Sequence, residues 1–232
     1  MARARRVMTV LSMSVWMGAC SGGGGVSDPG VGSATLSVDA HVSAENRIVN
    51  ASAKADFDTS FEVRLSKSGA ALHGATVKLG SDSGEVILVE DTQKEGRYVG
   101  EQSGYAGTYS LSAVLGADNV DGVALTGPAA HAFSAPLLGA QVIYGQPLDV
   151  KWSPSGAAAA SLDTRELDHI AVADTGEYTV PGSGLKKPDT GKTAEERVRV
   201  VRSSSVALAG AVAGSKLTVS ISNEITFVVL GQ

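Results

Sequence analysis

The chain has a single cysteine, Cys20, among its 232 residues, and aromatic residues make up only 5% of it. One cysteine excludes an intramolecular disulfide and any metal site built from several cysteines. The scarcity of aromatics excludes a core made mainly of large rings, whereas 28 glycines supply many turns. Hydrophobic residues still make up 43%, enough for a packed core. This balance favours a β-rich extracytoplasmic protein over a helical enzyme.

Basic residues are also scarce, and three of the 19 are Arg3, Arg5 and Arg6. Without residues 1–19 the chain keeps 16 basic and 24 acidic residues, a formal charge of −8. Nucleic-acid binding depends on neutralising phosphates, and docking on anionic lipid headgroups needs positive charge in the same way. We therefore expect no nucleic-acid partner and no electrostatic attachment to membranes.

The longest apolar run, Val7 to Met17, is too short to cross a bilayer core of about 30 Å, which needs roughly 20 residues. Basic residues precede this run and the small pair Gly18-Ala19 follows it. A basic start, a short apolar run and small residues are typical of a removable export signal, here residues 1–19.

The sequence Met17-Gly18-Ala19-Cys20 resembles the lipobox of bacterial lipoproteins, although Leu is commoner than Met at its first position. The resemblance implies cleavage before Cys20, a diacylglyceryl group on its sulfur and an acyl chain such as palmitate on the new amine. Several acyl chains anchor a protein stably where one is marginal. Ser21 in place of Asp resembles the pattern sorted to the outer membrane in Gram-negative hosts. The alternative is an incidental thiol at an ordinary cleavage site.

The segment after Cys20 is rich in glycine and serine as far as Ser33. Such segments behave as flexible tethers, and 13 residues give an r.m.s. reach of roughly 20 Å. Residues 20–33 are therefore predicted to be a lipidated cysteine and a tether that holds a folded head near a membrane.

From Ala34 onward period-2 runs recur and no long helical periodicity is present. Glycine, Asp and Asn punctuate the runs every 8–12 residues, which is typical of a sandwich. The fold class is therefore predicted to be all-β, with two tandem sandwiches at residues 34–137 and 138–232. One continuous domain remains an alternative. Residues 157–160 and 164–169 are interpreted as loop with at most a helical turn.

Three stretches, residues 72–79, 96–100 and 107–111, look like the "G-A-x-V-x-L … G-x-Y … G-x-Y-x-L" cadence of bacterial immunoglobulin-like domains. Residues 145–154 look like an early strand of a fibronectin type III-like domain, with Trp152 as its core tryptophan. In sandwiches a tyrosine near a strand start can bond the backbone upstream through its hydroxyl. We expect such a corner at Tyr109, followed by one strand near residues 131–135, and an ordinary strand tyrosine at Tyr178.

Catalytic and metal-binding motifs are lacking. None of the four histidines is part of an H-E-x-x-H motif, no local His/carboxylate cluster is visible, and no G-x-S-x-G elbow is present. The stretch Asp118 to Gly122 resembles a calcium loop but lacks the Glu at the twelfth loop position, so a hairpin turn is favoured. Four carboxylates are interpreted as a solvated acidic face: Asp82, Glu90, Asp91 and Glu95. We expect no catalytic residues, no metal and no cofactor.

The sequence thus predicts a lipid-anchored, non-catalytic module of the cell envelope that binds an envelope protein or a glycan, or acts as a spacer. The alternative is an accessory subunit of an envelope enzyme or a weak envelope hydrolase. A convergent set of titratable groups in a pocket would distinguish the alternative from the first reading.

Overall fold

The computed structural model describes residues 27–232, in which eighteen strands are joined by loops and two short 3-10 turns. Cys20, the predicted export signal and the first part of the predicted tether lie outside the described residues. The two helical turns within residues 27–232, of three residues each, are far too short to cross a bilayer.

The strands have the following bounds in chain order: β1 (Ser27–Gly32), β2 (Ser37–Asn46), β3 (Phe57–Lys67), β4 (Ala70–Ala71), β5 (Thr76–Ser81), β6 (Gly84–Ile87), β7 (Val89–Glu90), β8 (Arg97–Ser103), β9 (Thr108–Leu115), β10 (Asp118–Thr126), β11 (Ala132–Ala135), β12 (Gln141–Ile143), β13 (Leu148–Ser153), β14 (Ala159–Asp163), β15 (Ile170–Val172), β16 (Glu177–Val180), β17 (Thr193–Ala207) and β18 (Lys216–Leu230). The predicted all-β class is confirmed. Most strands alternate between buried and exposed residues, which places one face of each sheet on a core.

The first sandwich packs the sheet β1-β10-β9-β5-β6 against β2-β3-β8-β7. When the strands from β2 to β10 are lettered along the chain as in an immunoglobulin domain, the first sheet reads G-F-C-C′ and the second reads A-B-E-D. The additional strand β1 lies beside G. The chain changes sheets between β6 and β7 at the buried Leu88. The strand order confirms the immunoglobulin-like architecture of this half.

The second sandwich packs the sheet β11-β13-β16 against β15-β14-β17-β18. Because β12 also pairs with β18, three strands face five. The early strand on which the resemblance to fibronectin type III-like domains placed Trp152 is β13. The stretch around Ala157 to Ala160, expected to be a loop, continues into β14 because Ala160 and Leu162 alternate inward from the middle of the sheet.

The strands β17 and β18 belong to both sandwiches. They pair over fifteen residues each, from Thr193 opposite Leu230 to Ala207 opposite Lys216. The first half of β18 runs parallel to β2, with Lys216 opposite Asp39, so a single sheet continues from one sandwich into the other. As folding units, 34–137 and 138–232 stay a prediction, but the structure places residues from beyond 137 in both hydrophobic cores.

Residues 27–32, predicted to be part of the tether, form the edge strand β1 against β10. Their glycines serve close packing. A side chain at Gly32 would lie 2.3 Å from the Asn119 carbonyl and 2.4 Å from the Gly210 carbonyl. Gly30 adopts a φ of +73° that favours glycine, and a side chain there would meet the Asp121 carbonyl at 2.5 Å. Glycine richness therefore reflects backbone contact here, and the tether prediction is wrong for these six residues.

The stretch Asp118 to Gly122, interpreted as a hairpin turn, is the first half of β10. The register shifts between Val120 and Val123, which marks a β-bulge, and Gly122 adopts a φ of +69° within it. The turn itself lies just before, at Gly116 and Ala117. Asp and Gly signals thus mark a bulge in this strand.

Candidate functional site

A layer of buried polar side chains separates the two hydrophobic cores where the sandwiches meet. On β18, the odd-numbered residues from Leu217 to Val229 face inward, and Asn223 stands in the middle of this row without solvent exposure. Its Nδ2 donates to the Ala51 carbonyl at 2.6 Å and to the His131 carbonyl at 2.5 Å. A buried amide between two apolar clusters fixes the position of both segments to which it is hydrogen-bonded.

The ion pair between Arg202 of β17 and Asp174 lies in the same layer, and both side chains are only 2% exposed. The Arg202 Nε donates to Asp174 Oδ2 at 2.8 Å. The carboxylate also accepts the Trp152 indole N–H at 2.8 Å and the Ala157 amide at 2.5 Å. Burial acts to raise the pKa of Asp174, but these donors outweigh it and hold that pKa below its usual range. Removing one member of such a pair leaves the other charge buried without a partner.

His131 is fully buried beside this ion pair, and neither of its ring nitrogens makes a hydrogen bond of normal geometry. Its ring packs edge-on against Phe133, with centroids 6.1 Å apart. Burial and, secondly, the positive charge of Arg202 lower the pKa of His131 from 6.5 to about 4. His131 is therefore neutral at physiological pH and resists protonation.

The polar layer holds the short segment that links the sandwiches. The Tyr105 hydroxyl donates to the Pro128 carbonyl at 2.7 Å, and the Arg202 guanidinium donates to the Ala129 carbonyl at 2.8 Å. Asn223 bonds the carbonyl of His131, the third linker residue held in this way. The linker is thus bonded at three carbonyls, beside strands that contribute buried residues to both cores.

The expected tyrosine corner is confirmed. Tyr109 is buried at the start of β9, and its hydroxyl accepts the Ala106 amide at 3.0 Å. The strand that follows is β10, not the segment near residues 131–135. Tyr98, in the preceding G-x-Y step, holds a different loop, because its hydroxyl accepts the Ala75 amide and donates to the Leu72 carbonyl. Tyr178 lies in β16 and packs on the second core, as expected of an ordinary strand residue.

Trp152 is buried in the second core, as predicted, at 3% exposure. The indole also bonds Asp174, a contact that links the core to the ion pair and that sequence reasoning missed. Asp174 stands 22 residues further along the chain, in the loop after β15, and no local spacing signals that contact.

A His/carboxylate cluster is present, contrary to expectation, at Asp163, Asp168 and His169. Asp163 is the last residue of β14, and the loop that follows folds back so that Asp168 and His169 lie beside it. The buried Asp163 already accepts the Arg199 guanidinium at 2.7 Å and the His169 amide at 2.7 Å. Asp168 and His169 are exposed. The cluster is explained by these bonds, and nothing in it points to a bound ion.

The other singled-out polar residues are engaged in pairs. Asp118 accepts the Lys67 ammonium and the Thr35 hydroxyl, each at 2.6 Å. Two of the four carboxylates predicted to form a solvated acidic face have partners: Glu90 bonds the His73 ring, and Asp91 bonds Arg97 at 2.6 Å. The other two, Asp82 and Glu95, are exposed as predicted. The Gly74 amide and then His73 lower the pKa of Glu90.

The described part of the chain has shallow surface grooves. One, of about 490 Å³, crosses the outer face of β2, β3 and β8 and includes Glu45, Asp58 and Glu101. No aromatic side chain lines it, so it lacks the stacking surface that sugars and bases favour. Within residues 27–232, the buried polar layer at the junction has the most hydrogen-bonded buried side chains of the candidate sites, and it lies where the two sandwiches meet.

Comparisons with known proteins do not assign a family. No protein-family model matches the chain, and no curated protein does. Among solved structures, a chimeric titin Z1Z2-Z1Z2 tandem aligns with 82% of this chain and 96% of its own at 13% identity and a TM-score of 0.24. The fibronectin(III)-like modules of Clostridium thermocellum CbhA align with 80% and 92% at 14% identity and a TM-score of 0.23. Such low scores add nothing to the strand order, which itself defines the two sandwiches.

Proposed function

We propose that the protein is a cell-envelope lipoprotein, anchored through Cys20, whose two joined sandwiches act as a rigid, non-catalytic binding or structural module. The observation that supports this best is the shared pair β17–β18, which contributes buried residues to both cores. A protein that presents surfaces at a fixed separation benefits from one continuous sheet, whereas two sandwiches on an unrestrained linker move independently by default. The partner is an envelope protein or a glycan.

The lipid anchor is tested by comparing Cys20→Ala with Ser21→Ala, a neighbouring change that keeps the acceptor thiol. We expect the first variant to leave the membrane fraction and the second to stay. Mass spectrometry of the mature N-terminus should show acyl mass on Cys20. An unmodified Cys20 or a mature N-terminus at another residue would refute the anchor.

The absence of catalysis and of a metal is tested on the purified head. After chelator treatment, we expect melting temperatures that do not change on adding calcium or zinc, since a tightly bound ion stabilises the folded state. A panel of hydrolase substrates should give no turnover. Turnover that disappears in Asp163→Asn or His169→Gln would establish the weak-hydrolase alternative instead.

Rigidity is tested by spin labels placed on the exposed residues Ser110 and Thr179, one in each sandwich. A single narrow distance distribution is expected. A broad distribution would show that the sandwiches move independently and would remove the main support for the spacer function.

A further inference from the structure

One long edge of the first sandwich combines the start of the described chain with the end of the β17–β18 hairpin. The Ala209 amide bonds the Pro29 carbonyl, the Ala34 amide bonds the Gly210 carbonyl, and the Val212 amide bonds the Leu36 carbonyl, at 2.8–3.0 Å. We call residues 27–36 and 203–215 together the anchor edge. These two segments lie side by side, although more than 160 residues separate them in the sequence.

The anchor edge has almost no charge. Its 23 residues include one charged side chain, Asp28, and that carboxylate accepts the Gly30 amide at 2.8 Å. The opposite edge of the same sandwich, residues 82–97 around β6 and β7, has seven charged residues, five of them acidic. Apolar exposure does not distinguish the two edges, because Val31 (72%) and Val212 (39%) on one are matched by Ile87 (61%) and Val89 (70%) on the other.

The position of Ser27 limits how the head can sit relative to Cys20. Ser27 pairs with Leu125, at the end of β10 that leads into the junction, so the chain enters the molecule midway along its length. Seven residues from Cys20 to Ser27 span at most about 25 Å. The part of β18 beyond Ser222 covers about 26 Å of the second sandwich, at about 3.3 Å per residue. The far end of the second sandwich therefore lies out of reach of a surface anchored at Cys20.

Standing on the far end of the first sandwich is the remaining upright posture. It requires the link to run back along the whole of β1, about 17 Å, which uses most of its maximum length and restricts its conformations. Lying on the side next to Ser27 requires no such extension. The charges select the same side, because an anionic leaflet repels the acidic edge within a Debye length of about 8–10 Å and leaves the neutral edge unopposed.

We propose that the anchor edge faces the lipid bilayer and that the protein lies lengthwise on the membrane, with β6 and β7 turned away from it. The inference rests on the proposed lipid at Cys20. It assigns the membrane surface to one neutral edge of the fold and leaves the acidic edge and both ends of the molecule open to partners.

The test uses the lipidated protein purified from membranes and placed in nanodiscs of phosphatidylethanolamine and phosphatidylglycerol that contain a gadolinium-chelating lipid. Paramagnetic relaxation of methyl groups falls with the inverse sixth power of distance. We therefore expect many-fold stronger relaxation at Val31 and Val212 than at Ile87 and Val89. Equal relaxation, or stronger relaxation at Ile87 and Val89, would overturn the orientation.

Two further arms separate the causes of failure. Mass spectrometry of the same sample reports the lipid: its absence overturns both the proposed function and the membrane as occupant, whereas lipid with equal relaxation overturns the orientation alone. The double variant Ser205→Glu, Ala207→Glu should lower the contrast between the two edges. The matched pair Ser83→Glu, Thr92→Glu on the opposite edge should preserve it, and the reverse pattern would also overturn the proposal.

Discussion

The two sandwiches differ in how they complete their cores. The first has 27 buried hydrophobic residues, and five of them come from beyond residue 207, in the hairpin that continues from the second sandwich. The second has only 12, and all of them lie between Phe133 and Val229. The larger core thus depends on the chain of the smaller one, while the smaller core is built from its own segment. The half that comes first in the sequence is therefore the half that depends on the other for its core.

The dependence of the first core on the second half of the chain is tested most directly by removing that half. The fragment 27–137 loses Leu208, Leu217, Val219 and Ile221, each worth about 1.5–3 kcal/mol when buried. That loss is comparable with the whole stability of a domain, about 5–15 kcal/mol. We expect the fragment to be unfolded by near-UV circular dichroism and to regain structure when a separate peptide of residues 193–230 is added. A fragment that folds alone would restore the division at 137/138.

The smaller core should be the more sensitive to its single tryptophan. Trp152→Ala should lower the free energy of unfolding by about 3–5 kcal/mol, because it removes the largest side chain of that core and a donor to Asp174. Urea titration measures the loss, with Lys151→Ala on the exposed face as the control. Without residues 1–19 the chain has one tryptophan, so native fluorescence reports this site alone. Red-shifted native emission would contradict its burial.

The junction should be the acid-sensitive part of the molecule. Above about pH 6.5 His131 is neutral both folded and unfolded and contributes nothing to pH dependence. Below about pH 6.5 the unfolded chain binds a proton at this histidine, whereas the folded protein binds it only near pH 4. The free energy of unfolding therefore falls over this window, by at most about 3 kcal/mol. Urea midpoints between pH 7 and about pH 4 should show this fall in wild type and a smaller one in His131→Leu. Equal slopes in wild type and His131→Leu would argue against the assignment.

The smallest expected loss of stability distinguishes Tyr109 in the first sandwich from Tyr178 in the second. Tyr109→Phe leaves the buried Ala106 amide without its acceptor and should cost about 1–2 kcal/mol, with faster hydrogen exchange at that amide. Tyr178→Phe, in the second sandwich, should stay within about 0.5 kcal/mol of wild type. Similar losses at both positions would mean that the corner bond has no special weight.

Local patterns predicted the all-β class, Trp152 as a core residue and the corner at Tyr109, because alternation and turn residues act over a few positions. They did not predict the pairing of β18 with β2, since the two strands are about 177 residues apart and any alternating strand fits such a partner. Glycine content predicts flexibility at residues 30 and 32, whereas the structure uses both for close backbone approach, to Asp121 at Gly30 and to Gly210 at Gly32. These partners are distant in the sequence, so local composition does not indicate them. The ion pair of Arg202 and Asp174 was likewise hidden by distance along the chain.

The parallel pairing of β2 with β18 also affects the order in which the two sandwiches can fold during synthesis. Domains generally fold in the order in which they are synthesised, the N-terminal one first. Here β2, the second strand to be made, pairs with β3 early but acquires its other neighbour only when β18 has been made. The first core therefore stays incomplete until residues 208–221 have been made, and a chain that is cut short before β18 lacks buried residues in both cores.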